Sequence, residues 1–301
     1  MNPGQFKEPI AGFGQWHSAP QVNERGSYPY ALDLIRECVV FLYTDQGGVR
    51  MTPHGTGFLI DVPSKTRHDI SYTYLITARH LVDAGWTGNP QVTDQLLIRM
   101  NRQGPLVLEI GEPATVFHSL RDQVWFHPDA DSIDIAFTRV SKENLIALGA
   151  SVHPLGSDAF ASQIEADSMR VGDATVSAGL LSGVSGNLAN YPIFKWGNIS
   201  SFHSEPIRTR MPSGKIIDLF EALVSASLVQ GNSGSPVFIL PNERHPNRMF
   251  LAGVQSMSYR GNDVAGMAPI RSLIDSLRKL ESEPDIDFGP PDLPSVLSRR
   301  P

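Results

Sequence analysis

A serine hydroxyl is a poor nucleophile until a base takes its proton. Three stretches of this chain carry the residue types for that transfer. In "QGNSGSPVF" (230–238), Ser233 lies between small residues and glycines, just ahead of a proline and an apolar run. Gly, Asn and Ser also populate ordinary turns, and alone the stretch reads more readily as one. "YLITARHLVDAG" (74–85) is an apolar strand-like run that ends on Thr77 and Ala78 and delivers His80 at a short helical turn. His80 could be a general base or simply one of nine histidines that happens to follow a strand. A base of this kind needs a carboxylate to fix its tautomer and to stabilise the imidazolium. "DSIDIAFTRV" (131–140) places Asp134 between Ile133 and Ile135, where a polar loop enters an apolar strand. A carboxylate buried there is costly without donors. A His N–H would supply one; a turn cap is the alternative. The three residues come in the order His80, Asp134, Ser233.

The elements around them are short and β-rich. Between residues 37 and 140 the chain runs through "CVVFLYT", "GTGFLIDV", "SYTYLIT", "DQLLIRM", "PLVLEI", "ATVFH" and "IDIAFTRV", split by turn residues. Such spacing predicts an all-β barrel or sandwich, because β/α units would need long helical patterns between strands. A second β-rich block runs from about 168 to 270 and includes "IDLFEALVSA", "SPVFIL", "MFLAGVQSMSY" and "VAGMAPI". Ile270, Leu273, Ile274 and Leu277 then fall at helical spacing, which predicts a C-terminal amphipathic helix. The expected organisation is an N-terminal arm over 1–29, a first barrel over 30–150 carrying His80 and Asp134, a second barrel over 151–275 carrying Ser233, and the helix end with a Pro-rich tail over 276–301. A site shared by two barrels lies in the cleft between them, a usual place for ligands.

Bulk composition narrows the partners. A chain of 301 residues with 41% hydrophobic residues supports a packed core, and its net charge of −6 disfavours a nucleic-acid partner. No apolar run reaches the roughly 18 residues of a membrane span, and the first residues show no basic-then-apolar signal pattern. Cys38, the single cysteine, lies in an apolar run and reads as a buried, inert thiol. With no disulfide possible within the chain and no export signal, a cytoplasmic setting is expected. His54, His118, His127, His153, His203 and His245 show no paired metal-ligand spacing, and "GLLSGVSG" lacks the lysine of a phosphate loop. No metal or other cofactor is expected.

Taken together, "TARH", "DIAF" and "GNSGSPV" resemble the three motifs of the chymotrypsin-like (trypsin-like) serine peptidases. They are most similar to the disulfide-free bacterial HtrA/Deg-like and glutamyl-endopeptidase-like branches, and no PDZ domain is expected after residue 275. "HGTGFLI" (54–60) and "FLAGVQSMS" (250–258) resemble the strands that flank the His and Ser motifs. The resemblance spans roughly residues 37–275 and implies two six-stranded antiparallel β-barrels and peptide-bond hydrolysis through His80, Asp134 and Ser233. It implies an oxyanion hole from the N–H groups of Gly231 and Ser233, room for the substrate backbone at Gly234, and support of the carboxylate by Ser256. Its substrate-binding positions correspond to Ser227 at the pocket base with Leu228, Gln230, Met257, Ser258 and Gly266. With no carboxylate at 227, the pocket is expected to be neutral and to favour a medium apolar P1 residue over Lys or Arg; a Glu preference, which would want a stronger donor than Gln255, ranks second. Asn232 stands where many digestive relatives carry an Asp, so activation by a new N-terminal amine is not expected. Protein or peptide substrates follow, with a regulatory protein partner possible and no membrane partner. The alternative is a catalytically inactive trypsin-like module that binds peptides or acts as a scaffold.

Overall fold

The computed structural model describes residues 29–45, 51–64, 67, 69–88, 96–103, 115–186, 189–211, 213–225, 231–246, 248–259 and 263–280. The N-terminal arm, the Pro-rich tail and the pocket positions Ser227, Leu228 and Gln230 lie outside them.

Helix α1 (Pro29–Cys38) leads into the first sheet: β1 (Val39–Asp45), β2 (Met51–Pro63), β3 (Ser71–Thr77), the short helix α2 (Ala84–Thr87), β4 (Leu96–Asn101), β5 (Thr115–Ser119) and β6 (Ala136–Val140). Their order is β5-β4-β1-β2-β3-β6, with every neighbouring pair antiparallel. Successive strand residues point to opposite faces, and here both faces are covered. Phe41, Phe58, Ile60, Tyr74 and Ile76 join a core shared with α1 and the second barrel, while Val40, Leu42, Leu59, Leu75 and Ile98 form a separate cluster. Burial on both faces is why these strands read as unbroken apolar runs rather than alternating ones. The chain after β5 doubles back, and Phe126 and Phe137 of β6 exchange both backbone hydrogen bonds, at 2.8 and 2.9 Å.

After α3 (Lys142–Ala147), the two-residue β7 (Leu155–Gly156) pairs in parallel with β2. Helix α4 (Gln163–Ser168) follows, opened by a capping box between Ser162 and Glu165. The second block then comprises β8 (Ala174–Gly179), β9 (Ile193–Phe202), the hairpin β10 (Ile207–Arg210) and β11 (Ile216–Leu219), β12 (Ala222–Ser225), β13 (Pro236–Ile239), β14 (Phe250–Tyr259) and β15 (Val264–Pro269). Six of these close into a barrel in the order β12-β15-β14-β13-β8-β9, and β10–β11 stands apart as a two-stranded ribbon. The architecture is thus all-β, with two six-stranded barrels and a C-terminal helix, α5 (Ile270–Lys279). The four apolar residues of α5 picked out by spacing are all buried, and Arg278 and Lys279 stand at its C-terminal end, where cations favour the helix dipole. Among the described residues no helix is long and apolar enough to cross a membrane.

Candidate active site

His80 is presented by a tight turn. β3 stops at Thr77, Ala78 is extended, and Arg79–Leu81 form one turn of 3-10 helix. The turn is clamped from below. Arg79 lies over the Trp86 ring, 4.8 Å from its centroid, and bonds Asp83 at 2.9 Å and Asp131 at 3.1 Å. The Trp86 indole N–H donates to the Asp131 carbonyl at 3.0 Å, so the loop leading to Asp134 is fastened to the turn that carries His80. His54 closes the other side, with Nε2 at 3.0 Å from the Leu81 carbonyl. Burial holds the His54 ring below its ordinary pKa, so it acts there as a neutral donor.

Asp134 is 1% exposed and receives three donors. The backbone N–H of His80 reaches Oδ1 at 2.9 Å, His80 Nδ1 lies 2.7 Å from Oδ2, and the Ser256 hydroxyl donates to Oδ2 at 2.5 Å. Burial by itself raises the Asp134 pKa. The charge of His80 and the hydrogen bonds from His80 and Ser256 outweigh it and hold the carboxyl below its usual range. With Nδ1–H directed at Asp134, Nε2 keeps a lone pair for a proton.

The turn around Ser233 needs its glycines. Gly231 and Gly234 have φ of 105° and 86°, a region L side chains avoid. A Cβ at Gly234 would sit 2.0 Å from the Thr56 carbonyl oxygen and 2.4 Å from Thr77 Oγ1. The space kept open at Gly234 therefore admits strands β2 and β3 of the first barrel, where room for a substrate backbone was expected. Thr56 is the fastener. Its N–H donates to the Ser233 carbonyl at 2.9 Å, its hydroxyl donates to the Gly231 carbonyl at 2.7 Å, and the same hydroxyl accepts from Leu180 N–H at 2.8 Å. Gly234 N–H and the Gln255 carbonyl, 2.8 Å apart, tie the turn to β14. The N–H groups of Gly231 and Ser233 have no acceptor among the described residues. The Ser233 hydroxyl donates to the Ser256 carbonyl at 3.2 Å and makes no hydrogen bond to His80.

The remaining expected positions are distributed differently. Met257 packs against an apolar cluster of Trp86, Met211, Ile217 and Leu219, and Ser258 is exposed. Gly266 faces a carboxyl group that the motifs did not point to, that of Glu221. A Cβ at Gly266 would lie 1.9 Å from Glu221 Oε2. Glu221 is 3% exposed, accepts from the Tyr259 hydroxyl at Oε1, and leaves Oε2 buried without a hydrogen-bond partner. Burial pushes its pKa up to about 7. The hydroxyls of Tyr259 and Ser256 pull it down and the charge of Asp134 adds to the rise. The signal was present in "IDLFEALVSA": an acid at a position that alternates with Leu219 and Leu223 in a strand-like run. It is the same anomaly that marked Asp134. Among the described residues no group of three or more His, Cys, Asp or Glu could hold a metal ion.

No protein-family model matches the chain, and no curated protein matches it. Among solved structures it is similar to the MamO protease domain from Magnetospirillum magneticum in its apo form, with a TM-score of 0.47 and 13% identity over 81% of this chain and 97% of that one. It is also similar to the Rv3671c protease in its inactive form, with a TM-score of 0.44 and 17% identity over 83% of this chain and 92% of that one. At such values no residue's role carries over, and the chemistry has to come from the geometry of this chain.

Proposed function

We propose that the protein is a serine-type endopeptidase acting through Ser233, His80 and Asp134. The observation that carries this reading is the set of three donors on the buried Asp134 carboxylate, which orients the His80 ring and leaves Nε2 free as a base. The reading requires the Ser233 hydroxyl to leave the Ser256 carbonyl for His80 Nε2; hydrogen bonds of this kind often tighten only when substrate binds. Ser233 Oγ would attack the peptide carbonyl as its proton passes to His80, and His80 would return that proton to the leaving amine. Water would then release the acyl-enzyme. The N–H groups of Gly231 and Ser233, which have no acceptor among the described residues, are the candidates for stabilising the oxyanion, where one such donor contributes about 3–4 kcal/mol.

Ser227 carries no charge, so we infer cleavage after medium apolar residues, which gain about 1.5–3 kcal/mol on burial. Position 227 itself offers no carboxylate to pair with a basic side chain. A peptide-library profile dominated by Arg or Lys at P1 would overturn that preference.

The test of the main reading is a fluorophosphonate probe followed by peptide mapping. Labelling at Ser233, absent in Ser233→Ala and in His80→Ala, is the expected result. A folded wild-type protein that takes no label sinks it. One observation favours a second reading, a catalytically inactive module that binds peptides: the Ser233 hydroxyl is engaged by Ser256 rather than by His80. Peptide binding without labelling would support that reading.

A further inference from the structure

Behind the triad lies a second acid that the proposed reaction does not use. Glu221 enters from the residue before β12, and the elements packed on it are few. From β14 come the hydroxyls of Tyr259 and Ser256, and from β15 only Gly266, whose missing side chain makes the space the carboxyl fills. From the first barrel it feels the charges of Asp134 and His80. Tyr259 is itself braced, its hydroxyl 3.2 Å from Thr209 Oγ1 on β10. The backbone is tied in as well, since Phe220 N–H donates to the carbonyl of Ser132 at 2.8 Å, two residues before Asp134. Ser256 has one hydroxyl proton, and it is given to Asp134. That hydroxyl is bonded to Asp134, Glu221 is close enough to feel it, and Glu221 Oε2 has no hydrogen-bond partner among the described residues.

We propose that Glu221 is a positioning residue for the His80–Asp134 pair: as a neutral acid it leaves the Ser256 hydroxyl on Asp134, and as a carboxylate it competes for that hydroxyl. The proposal rests on the reading of Ser233, His80 and Asp134 given above. Oε2 and Ser256 are not hydrogen-bonded in this structure; in the neutral state Oε2 would carry a proton and, on turning toward Ser256, would donate to its oxygen, which still has lone pairs to accept it. The line of donors then runs from Glu221 through Ser256 to Asp134. Loss of the Glu221 proton to solvent turns that end of the line into an acceptor. Ser256 then has two carboxylates to serve with one proton, and Asp134 holds the His80 ring with one donor fewer. Activity is therefore expected to fall as Glu221 ionises.

The experiment follows two signals across about pH 5 to 9, a span that brackets the raised Glu221. One is the carbon-13 carboxyl resonance of Glu221, and the other the downfield proton resonance of His80 Nδ1–H, on Asp134. Phosphonate labelling of Ser233 is timed over the same range. In the wild type the proton resonance should show a step whose midpoint coincides with that of Glu221, and the labelling rate should fall by about fivefold through it, the size expected for losing one hydrogen bond. Glu221→Gln, which holds the neutral shape, should lose that step and keep its labelling rate at high pH. Tyr259→Phe retains the acid but removes the hydroxyl bonded to its Oε1, so the step should persist and move to higher pH. If Glu221→Gln keeps the step, or the wild-type step does not track Glu221, the proposal is wrong. Should Glu221→Gln not fold, the direction seen in Tyr259→Phe decides, and a step that stays in place overturns the proposal. The resonance needs no turnover. A protein that shows the step but never labels Ser233 therefore overturns the peptidase reading and not the coupling of Glu221 to Asp134.

Discussion

Asp134 and Glu221 are both buried acids, almost equally inaccessible, and each feels the other's charge and the hydroxyl of Ser256. Their ionisation goes opposite ways. Asp134 collects the two N–H groups of His80 and the hydroxyl of Ser256, and stays charged below the usual carboxylate range. Glu221 collects one phenol hydroxyl and is pushed up to about 7. Burial is common to both, so burial does not decide the charge state. The number of donors aimed at the oxygens does, together with the sign of the nearest charge. Asp134 has a cation-forming ring beside it, whereas Glu221 has Asp134.

The largest way to break the contrast is Asp134→Asn. It keeps the shape but removes the charge and offers the His80 ring an amide, so the tautomer with Nε2 free is no longer favoured. Labelling of Ser233 is expected to slow by about 10⁴-fold, the loss typical of such a change in a Ser-His-Asp site. A slowing under about tenfold would contradict the role given to Asp134.

Next in size is a stability effect with opposite pH signs at the two acids. The Glu221 pKa is raised from 4.5 to about 7 in the fold, so its contribution is fully present below about pH 4.5 and is lost as pH rises through about 7. That difference amounts to about 3 kcal/mol. The Asp134 contribution runs the other way, present above its unfolded value near pH 4 and lost as pH falls through its lowered folded value. Urea unfolding of the wild type should therefore show stability declining between about pH 5 and 8, a decline that Glu221→Gln abolishes. A wild type equally stable at both pH values, measured against that variant, would mean Glu221 ionises normally.

Gly266→Ala tests the packing half of the contrast. Its methyl group would overlap the Glu221 carboxyl, at a cost of about 2 kcal/mol. Pairing it with Glu221→Ala should recover most of that loss, because the added methyl then has space. Additive losses in the double variant would show that the two do not meet.

Ser256→Ala is the smallest change and acts on both acids together. Asp134 keeps two of its three donors, so labelling at neutral pH should slow by only about tenfold. Its pH dependence near the Glu221 titration should flatten, since there is no longer a hydroxyl to compete for.

The sequence was informative wherever chemistry and backbone shape coincide. Ser233 stands in a turn that only glycines can make, His80 closes a strand, and Asp134 interrupts an apolar run, so each left a local mark. The strands within the described residues were legible as strands, and the apolar stripe of α5 gave its buried face, whereas "PLVLEI" (105–110) lies outside the described residues. The bridge between Phe126 and Phe137 was not legible, because Phe126 lies in a loop with no strand pattern. Nor was the real claim on the space at Gly234, since the Thr56 carbonyl that occupies it lies 178 residues earlier in the chain. Glu221 did leave a mark, but one shared with any strand acid that faces solvent. Only the fold shows that this one faces Gly266 and Ser256. The hairpin β10–β11 reaches over to α2 through Lys215 Nζ, 2.6 Å from the Trp86 carbonyl and 3.2 Å from that of Gly85. Contacts of that kind depend on how two distant segments come together and have no local pattern to announce them.

The bonds from Thr56 to the Ser233 turn also set an order in time. A ribosome releases His80 and Asp134 long before it has made Ser233, and Ser256 later still. The Thr56 hydroxyl waits for Leu180 and Gly231, and Asp134 lacks its third donor until β14 emerges. On the proposed reading, the nascent first half thus holds a base and an acid with no nucleophile to activate, and the site is complete only once the two halves have docked. A chain cut between them would have to rebuild the turn and its anchor in a single association step.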